Sequence, residues 1–263
     1  MEAIQGGLDA LFRWVHILAG IVWIGHLYFF NFVNIPFQGK LEGPTKKAVN
    51  PELLPRALYW FRWGALWTWA TGVFLLLLVF YHGKLAVKEP DGFTIGSWVM
   101  LAVTFLAVFV YDFLMKSSLA ANVKAAYAVA FVILAAIVFL FQGWGNFTYR
   151  GTLIHTGSLF GTIMAFNVWY RIWPAQQKII RAVKEGQTPD AGLVKLAGTR
   201  SRHNTYMSVP LLYSMMNFHA TYFAGGNLGL NENTYWIGWL LIILVGWHVV
   251  SHLYKKSGKV QGF

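Results

Sequence analysis

Seven long stretches without a charged residue are the feature that most constrains how this 263-residue chain folds. A helix needs about 20 largely apolar residues to cross the hydrocarbon core of a bilayer. Stretches of that kind occupy residues 14–39, 64–82, 92–111, 125–149, 151–170, 203–231 and 233–254. Charged residues make up 12% of the chain, whereas a soluble domain contains about 25%. The sequence therefore predicts an all-α, polytopic transmembrane helix bundle of seven spans, forming one domain over residues 1–263.

The basic residues are unevenly divided between alternate loops, and this division predicts the orientation of the chain. Of the 21 Lys and Arg residues, 17 lie in the loops 40–62, 116–124, 171–202 and 255–259. The opposite side keeps only Arg13, Lys84, Lys88 and Arg150. Because short cytoplasmic loops are enriched in Lys and Arg, we expect the N-terminus outside and the C-terminus inside. The net charge of +11 then reflects topology and contact with lipid, so we expect no nucleic-acid partner.

Two features are expected at the membrane surface. The polar segment 174–202 is predicted to be an inner-surface loop. Its first part forms either a short amphipathic helix lying on the membrane or a solvated basic loop. Tryptophan and tyrosine near the span ends predict interfacial belts, formed by Trp14, Tyr81, Trp98, Trp144, Tyr149, Trp169, Trp173, Tyr235 and Trp236.

The chain contains no cysteine, and this limits the cofactors that it can hold. Disulfides, thiolate metal sites, iron–sulfur clusters and covalently attached haem all require cysteine. Any haem bound here must therefore be held without a covalent link to the porphyrin.

Most of the eight histidines lie inside the predicted spans, where an ionisable side chain is costly and indicates a function. His16, His155 and His219 are predicted near the outer edge, and His26 and His248 near the inner edge. His16 and His26 are ten residues apart, which is roughly 15 Å along a helix. Two layers of imidazoles predict b-type haem, the outer one held by two of the three outer histidines and the inner one by His26 and His248.

Other interpretations of these histidines stay open at this point. The outer group suits polar packing, a proton path, or copper or iron held by several imidazoles. His82, His203 and His252 are typical of interfacial positions. Arg202, His203 and His252 at the inner edge are candidates to contact haem propionates or a quinone headgroup, although positive-inside anchoring explains Arg202 and His203 equally well.

Five segments of the sequence resemble the membrane domain of the bacterial membrane-bound urate oxidase family. They are RWVHILAGIVWIG (13–25), LYWFRWGALWTWATG (58–72), VYDFL (110–114), GTIMAFNVWYRIWPAQQKII (161–180) and RSRHNTYMSVPLLYSMMNFH (200–219). The resemblance implies a helical membrane domain in which His16, His155, His203 and His219 occupy histidine positions of the family. Members commonly carry a cytochrome c domain after the last span. This sequence has no cysteine to attach such a haem, so the resemblance leads us to expect a separate cytochrome c or other redox subunit as partner.

Three classes of function follow from these patterns. The first is a haem b protein that transfers electrons within or across the bilayer as a subunit of a larger redox or respiratory complex. The second is a membrane-bound oxidase or hydroxylase of the urate oxidase type, acting on a small substrate. The third is a haem-free transporter or assembly subunit.

Overall fold

The computed structural model describes residues 2–260, and helices dominate this part of the chain. Nine α-helices occur within it. They are α1 (Glu2–Tyr28), α2 (Ile35–Lys40), α3 (Gly43–Leu75), α4 (Ile95–Leu114), α5 (Val123–Gln142), α6 (Tyr149–Asn167), α7 (Trp173–Lys184), α8 (Ala191–Asn217) and α9 (Tyr235–Ser257). Two isolated β-bridges are the extent of β-pairing among the described residues. The all-α prediction is confirmed.

Three π-helical segments in the described part of the chain join consecutive helices or extend them. Phe29–Asn34 links α1 to α2, Leu76–His82 prolongs α3, and Val168–Ile172 links α6 to α7. Such segments shift the hydrogen-bond register and often occur at functional sites. As a result, α7 continues directly from α6 instead of starting a separate surface loop.

Five helical segments of the described chain are long and apolar enough to cross a membrane. They are Ile4–Lys40, Gly43–His82, Ile95–Leu114, Val123–Gln142 and Tyr235–Ser257. These agree with five of the seven predicted spans, whereas α6 and α8 fall outside the set. The structure is thus consistent with a multi-pass membrane protein, and the count of seven stays a prediction.

The helices α6 and α8 have lower hydropathy because they carry polar side chains that the protein itself covers. In α6, Thr152, His155 and Thr156 are fully buried, as are Asn204 and Ser208 in α8. Polar groups hidden from lipid in this way find their hydrogen-bond partners inside the protein, so the helix that carries them needs less apolar surface.

Between residues 174 and 231, the helices begin and end at positions other than those predicted. The predicted inner-surface loop 174–202 is largely helical, since it contains most of α7 and the start of α8. Within α7, Ala175 and Ile180 are buried while Lys178 and Arg181 are exposed, which agrees with the predicted amphipathic helix. The sixth stretch, predicted as one span over 203–231, is helical only as far as Asn217. Its glycine-containing remainder forms turns that include Gly226 and Gly229 at positive φ.

The described residues cluster into two compact units, and the boundaries between the units fall within α3, α6, α8 and α9. Unit 1 comprises Met1–Gly72, Met164–Val209 and Gly246–Phe263, and unit 2 comprises Val73–Ile163 and Pro210–Val245. In unit 1, Asn31 is 1% exposed. It donates to Ser201 Oγ at 2.8 Å and accepts from the Tyr254 hydroxyl at 2.8 Å. One buried amide thus connects the π segment after α1 with α8 and α9.

In unit 2, an apolar cluster includes Phe80, Tyr81, Met100, Phe141 and Phe147. The predicted interfacial belt is wrong for three tyrosines. Tyr81, Tyr149 and Tyr235 have exposed fractions of 8%, 5% and 1%, because they pack in this unit instead of facing a membrane surface. Trp14, Trp98 and Trp144 are more than half exposed, as belt residues should be.

The N-terminus of α4 in unit 2 is closed by a capping box. Thr94 Oγ1 accepts from the Ser97 amide at 3.2 Å, and Ser97 Oγ accepts from the Thr94 amide at 3.1 Å. We expect Thr94→Ala to lower the free energy of unfolding by about 1 kcal/mol, the usual cost of losing an N-cap side chain. Thr94→Ser should retain stability because it keeps the hydroxyl. Thermal unfolding of the purified protein in detergent measures both, and equal losses in the two variants would contradict the role of the cap.

Candidate functional site

His155 is the most deeply buried histidine, with none of its surface exposed. It lies near the start of α6 in unit 2. Its Nδ1 is 2.6 Å from the Gly151 carbonyl oxygen, and its Nε2 is 2.8 Å from the Tyr81 hydroxyl. The Phe147 ring stacks on the imidazole at a centroid distance of 3.9 Å.

These contacts fix the tautomer of His155. A carbonyl oxygen only accepts, so Nδ1 carries the proton and donates it to Gly151. Nε2 of the neutral ring then has a lone pair, which accepts the Tyr81 hydroxyl hydrogen. The nitrogen that would bind a metal is therefore already hydrogen-bonded in this conformation.

His16 is half-buried on α1 and faces α3 within unit 1. Its Nδ1 is 3.2 Å from Thr71 Oγ1. The Thr71 hydroxyl donates its own proton to the Trp67 carbonyl at 2.6 Å, so the Thr71 oxygen acts as acceptor and His16 Nδ1 as donor. The lone pair of His16 therefore lies on Nε2.

Gly72 allows this close approach of α1 and α3. A Cβ atom at position 72 would lie 2.9 Å from His16 Cε1, closer than carbon atoms pack without displacement. The imidazole thus occupies space that only a glycine leaves open.

His26, on α1, repeats the arrangement that His155 shows on α6. Its Nδ1 is 2.7 Å from the carbonyl oxygen of Val22, four residues before it, just as His155 uses Gly151. Nδ1 is again the donor and Nε2 carries the lone pair. Its predicted partner His248 has an exposed side chain on α9, so that pairing stays a prediction.

The remaining candidate histidines are more accessible. His219 follows the end of α8, is exposed, and contacts the ring of its neighbour Phe218 at 3.9 Å. His82 is exposed at the end of the π segment after α3, and His252 is exposed on α9. The assignment of His219 as a haem ligand stays a prediction.

At the predicted inner edge, Arg202 and His203 lie on α8 in unit 1. The Arg202 guanidinium is 5.2 Å from the centroid of the Tyr254 ring, a cation–π distance. His203 is half-buried. Their proposed contacts with propionates or a quinone stay predictions.

No group of three or more His, Cys, Asp or Glu side chains converges on a metal-sized space among residues 2–260. This argues against the copper or iron site of several imidazoles considered above. It leaves haem untested, because the porphyrin supplies four ligands and the protein at most two.

His16 and His26 fit the role of haem ligand better than His155 does. In metal-ligating histidines, the ring nitrogen that does not bind the metal usually donates to a carbonyl or another acceptor, which orients the ring. His16 and His26 both show that arrangement, with Nδ1 as the donor. His155 shows it too, but Tyr81 takes its lone pair and Phe147 covers its ring.

Tyr81 and Thr71 are functional candidates that the sequence did not reveal. Tyr81 had the position of an interfacial aromatic residue, and Thr71 lies within an apolar span. Their importance comes from partners 74 and 55 residues away in the chain. A threonine or tyrosine in an apolar stretch is the available signal, and it does not identify the partner.

Together the fold and these histidines define a helical protein with five helices in its described part able to cross a membrane. Three of its imidazoles are oriented by hydrogen bonds, and that of His155 is fully buried. A family described as urate oxidase N-terminal matches residues 37–262. The chain belongs to this family, which confirms the predicted resemblance. The match includes His155, His203 and His219, whereas His16 and His26 precede it. No curated protein and no solved structure matches the chain.

Proposed function

We propose that this protein is a seven-span membrane protein that binds b-type haem and transfers electrons within or across the bilayer. The N-terminus is outside and the C-terminus inside a bacterial inner membrane, in keeping with the distribution of basic residues. Electrons pass to or from a separate cytochrome c or other redox subunit, with a quinone as a further candidate. The observation that carries the proposal is the tautomer of His16 and His26.

The protein's own residues prepare both imidazoles of α1. Thr71 holds Nδ1 of His16, and the Val22 carbonyl holds Nδ1 of His26. Each Nε2 then carries a lone pair, which could bind a metal without prior loss of a proton from that nitrogen. Haem bound there would supply reversible one-electron chemistry at iron, and the surrounding burial would tune its potential.

The axial partners belong to the same proposal. His155 and His219 stay candidate axial ligands of an outer haem, and His248 would complete the inner pair with His26, which lies in the same unit. Use of His155 requires that the Tyr81 hydroxyl leave Nε2, because one lone pair cannot serve both.

Haem stoichiometry tests the proposal directly. We expect a pyridine haemochrome assay on the purified full chain to give two b-type haems, one of them lost in His16→Ala and the other in His26→Ala. His82→Ala is the matched control, since His82 is an exposed histidine at a helix end. One haem would remove the inner layer, and a colourless wild-type protein would overturn the haem proposal in favour of a transporter or assembly subunit.

Family membership favours a second candidate, the oxidation of urate or a related small substrate. This function requires the purified chain to consume urate, and the decrease in urate absorbance measures that consumption. Turnover that persists without a redox partner would favour the oxidase over the electron-transfer subunit.

A further inference from the structure

A groove on unit 1 combines basic and aromatic side chains outside the histidine sites. It is lined by one face of α3 and the end of α7, with Pro51, Glu52, Pro55, Arg56, Tyr59, Trp60 and Lys184 as its lining residues. Its volume of about 500 Å³ lies within the range of small-molecule sites. Two cations, Arg56 and Lys184, face one carboxylate, that of Glu52.

The Arg56 guanidinium has donors to spare. Its Nη1 contacts Glu52 Oε2 at 2.7 Å and the Glu52 carbonyl. A guanidinium has five N–H groups, so Nε and Nη2 can bind a second anion. Lys184 also interacts electrostatically with Glu52, which places both cations around the same carboxylate.

The aromatic residues of the groove indicate the depth at which its ligand lies. Tyr59 is 48% exposed and Trp60 is 57% exposed, as is typical of aromatic side chains at the headgroup level of a membrane. The neighbouring helix α7 buries Ile180 and exposes Lys178, Arg181 and Lys184. Basic amphipathic helices of this kind attract anionic lipids.

We propose that the groove between α3 and α7 binds the phosphate headgroup of an anionic phospholipid. Arg56 and Lys184 contact the phosphate, and Tyr59 and Trp60 lie beside the glycerol and upper acyl region. Glu52 competes with the phosphate for the same cations and sets the affinity. The proposal is independent of haem binding, since it uses no histidine.

Native mass spectrometry of the detergent-purified full chain with phosphatidylglycerol or phosphatidylcholine tests this site. We expect preferential retention of phosphatidylglycerol. Lys184→Gln should weaken its binding about fivefold, the effect of one basic residue near an anionic surface. Lys195→Gln, which removes an exposed lysine of α8 outside the groove, is the matched control and should bind as the wild type does.

Glu52→Gln provides a test with the opposite sign. Removing the competing carboxylate should strengthen phosphatidylglycerol binding several-fold, and a merely structural role of the Glu52–Arg56 pair would not produce that gain. Equal affinity for the two lipids would overturn the proposal. Equal losses of binding in Lys184→Gln and Lys195→Gln would also overturn it, as would displacement of the bound lipid by inorganic phosphate alone. Haem content, measured on the same samples, reports separately on the electron-transfer proposal.

Discussion

Replacing Gly151 with alanine is expected to lower the free energy of unfolding by about 3 kcal/mol, the upper end of the usual cost of overpacking. A Cβ atom at this position would overlap the carbonyl oxygen of Ala86 and lie 3.1 Å from Phe147 Cβ. The obstacle is backbone, which cannot rotate away as a flexible side chain would.

The Ala86 carbonyl cannot shift freely because it also accepts a hydrogen bond just before the start of α6. It accepts from the Thr148 amide at 2.9 Å, and Val87 forms an isolated β-bridge with Phe147. Displacing it would disturb the N-terminus of α6 and the Gly151 carbonyl that orients His155. We therefore expect Gly151→Ala to affect both stability and the imidazole.

Gly161→Ala on the same helix is the matched control. A Cβ there would meet Leu211 Cδ1 at 3.6 Å, an ordinary van der Waals distance. Alanine in a helix interior gains up to about 1 kcal/mol over glycine, so this variant should be neutral or more stable. Thermal or denaturant unfolding in detergent measures both variants. Similar behaviour of the two would show that the loop at Ala86 is not packed against Gly151 as described.

The second large effect is expected from Tyr81→Phe. Without the hydroxyl, Nε2 of His155 is left buried and unpaired, which costs about 2 kcal/mol. His155→Leu measured alone and together with Tyr81→Phe completes a double-mutant cycle, and the coupling energy reports on the hydrogen bond itself. Tyr222→Phe is the control, because Tyr222 is 52% exposed.

The same variant distinguishes two states of His155. If iron binds Nε2, the Tyr81 bond is already absent, so Tyr81→Phe should cost haem-loaded protein little and should raise haem occupancy. If haem content is unchanged while stability falls by the expected amount, His155 serves as a structural hydrogen-bond acceptor. A negligible coupling energy in haem-free protein would contradict the hydrogen bond between Tyr81 and His155.

The fold was predictable from the sequence in the segments whose side chains are apolar enough to face lipid. Segments such as Val123–Gln142 are apolar over nearly their whole length, and a helix satisfies the backbone hydrogen bonds of such a stretch within the segment itself. The boundaries of α8 were less predictable. Its charged first half resembles a surface loop in composition, yet Arg200 is 2% exposed, so tertiary packing overrides the local polarity.

The sequence predicted the residue types of the candidate site, but it did not predict which side chains contact each other. Histidines in apolar spans identified His16, His26 and His155 before any coordinates, because buried ionisable groups are rare. The sequence could not show that His219 and His248 have exposed side chains. The direction of a side chain depends on which neighbouring helices cover it, and helical spacing alone does not supply those neighbours.

The sequence by itself determined the helical class, the family and the position of every ionisable group along the apolar segments, since these depend on composition and local order. Only the tertiary structure decided what each imidazole can bind. The proton on His155 is placed by Gly151 within its own helix, but its lone pair is occupied by Tyr81, 74 residues away. His16 likewise depends on Thr71 at a separation of 55 residues. Hydrogen bonds between distant segments thus decide which ring nitrogen is available for chemistry, by orienting His16 and by occupying the lone pair of His155.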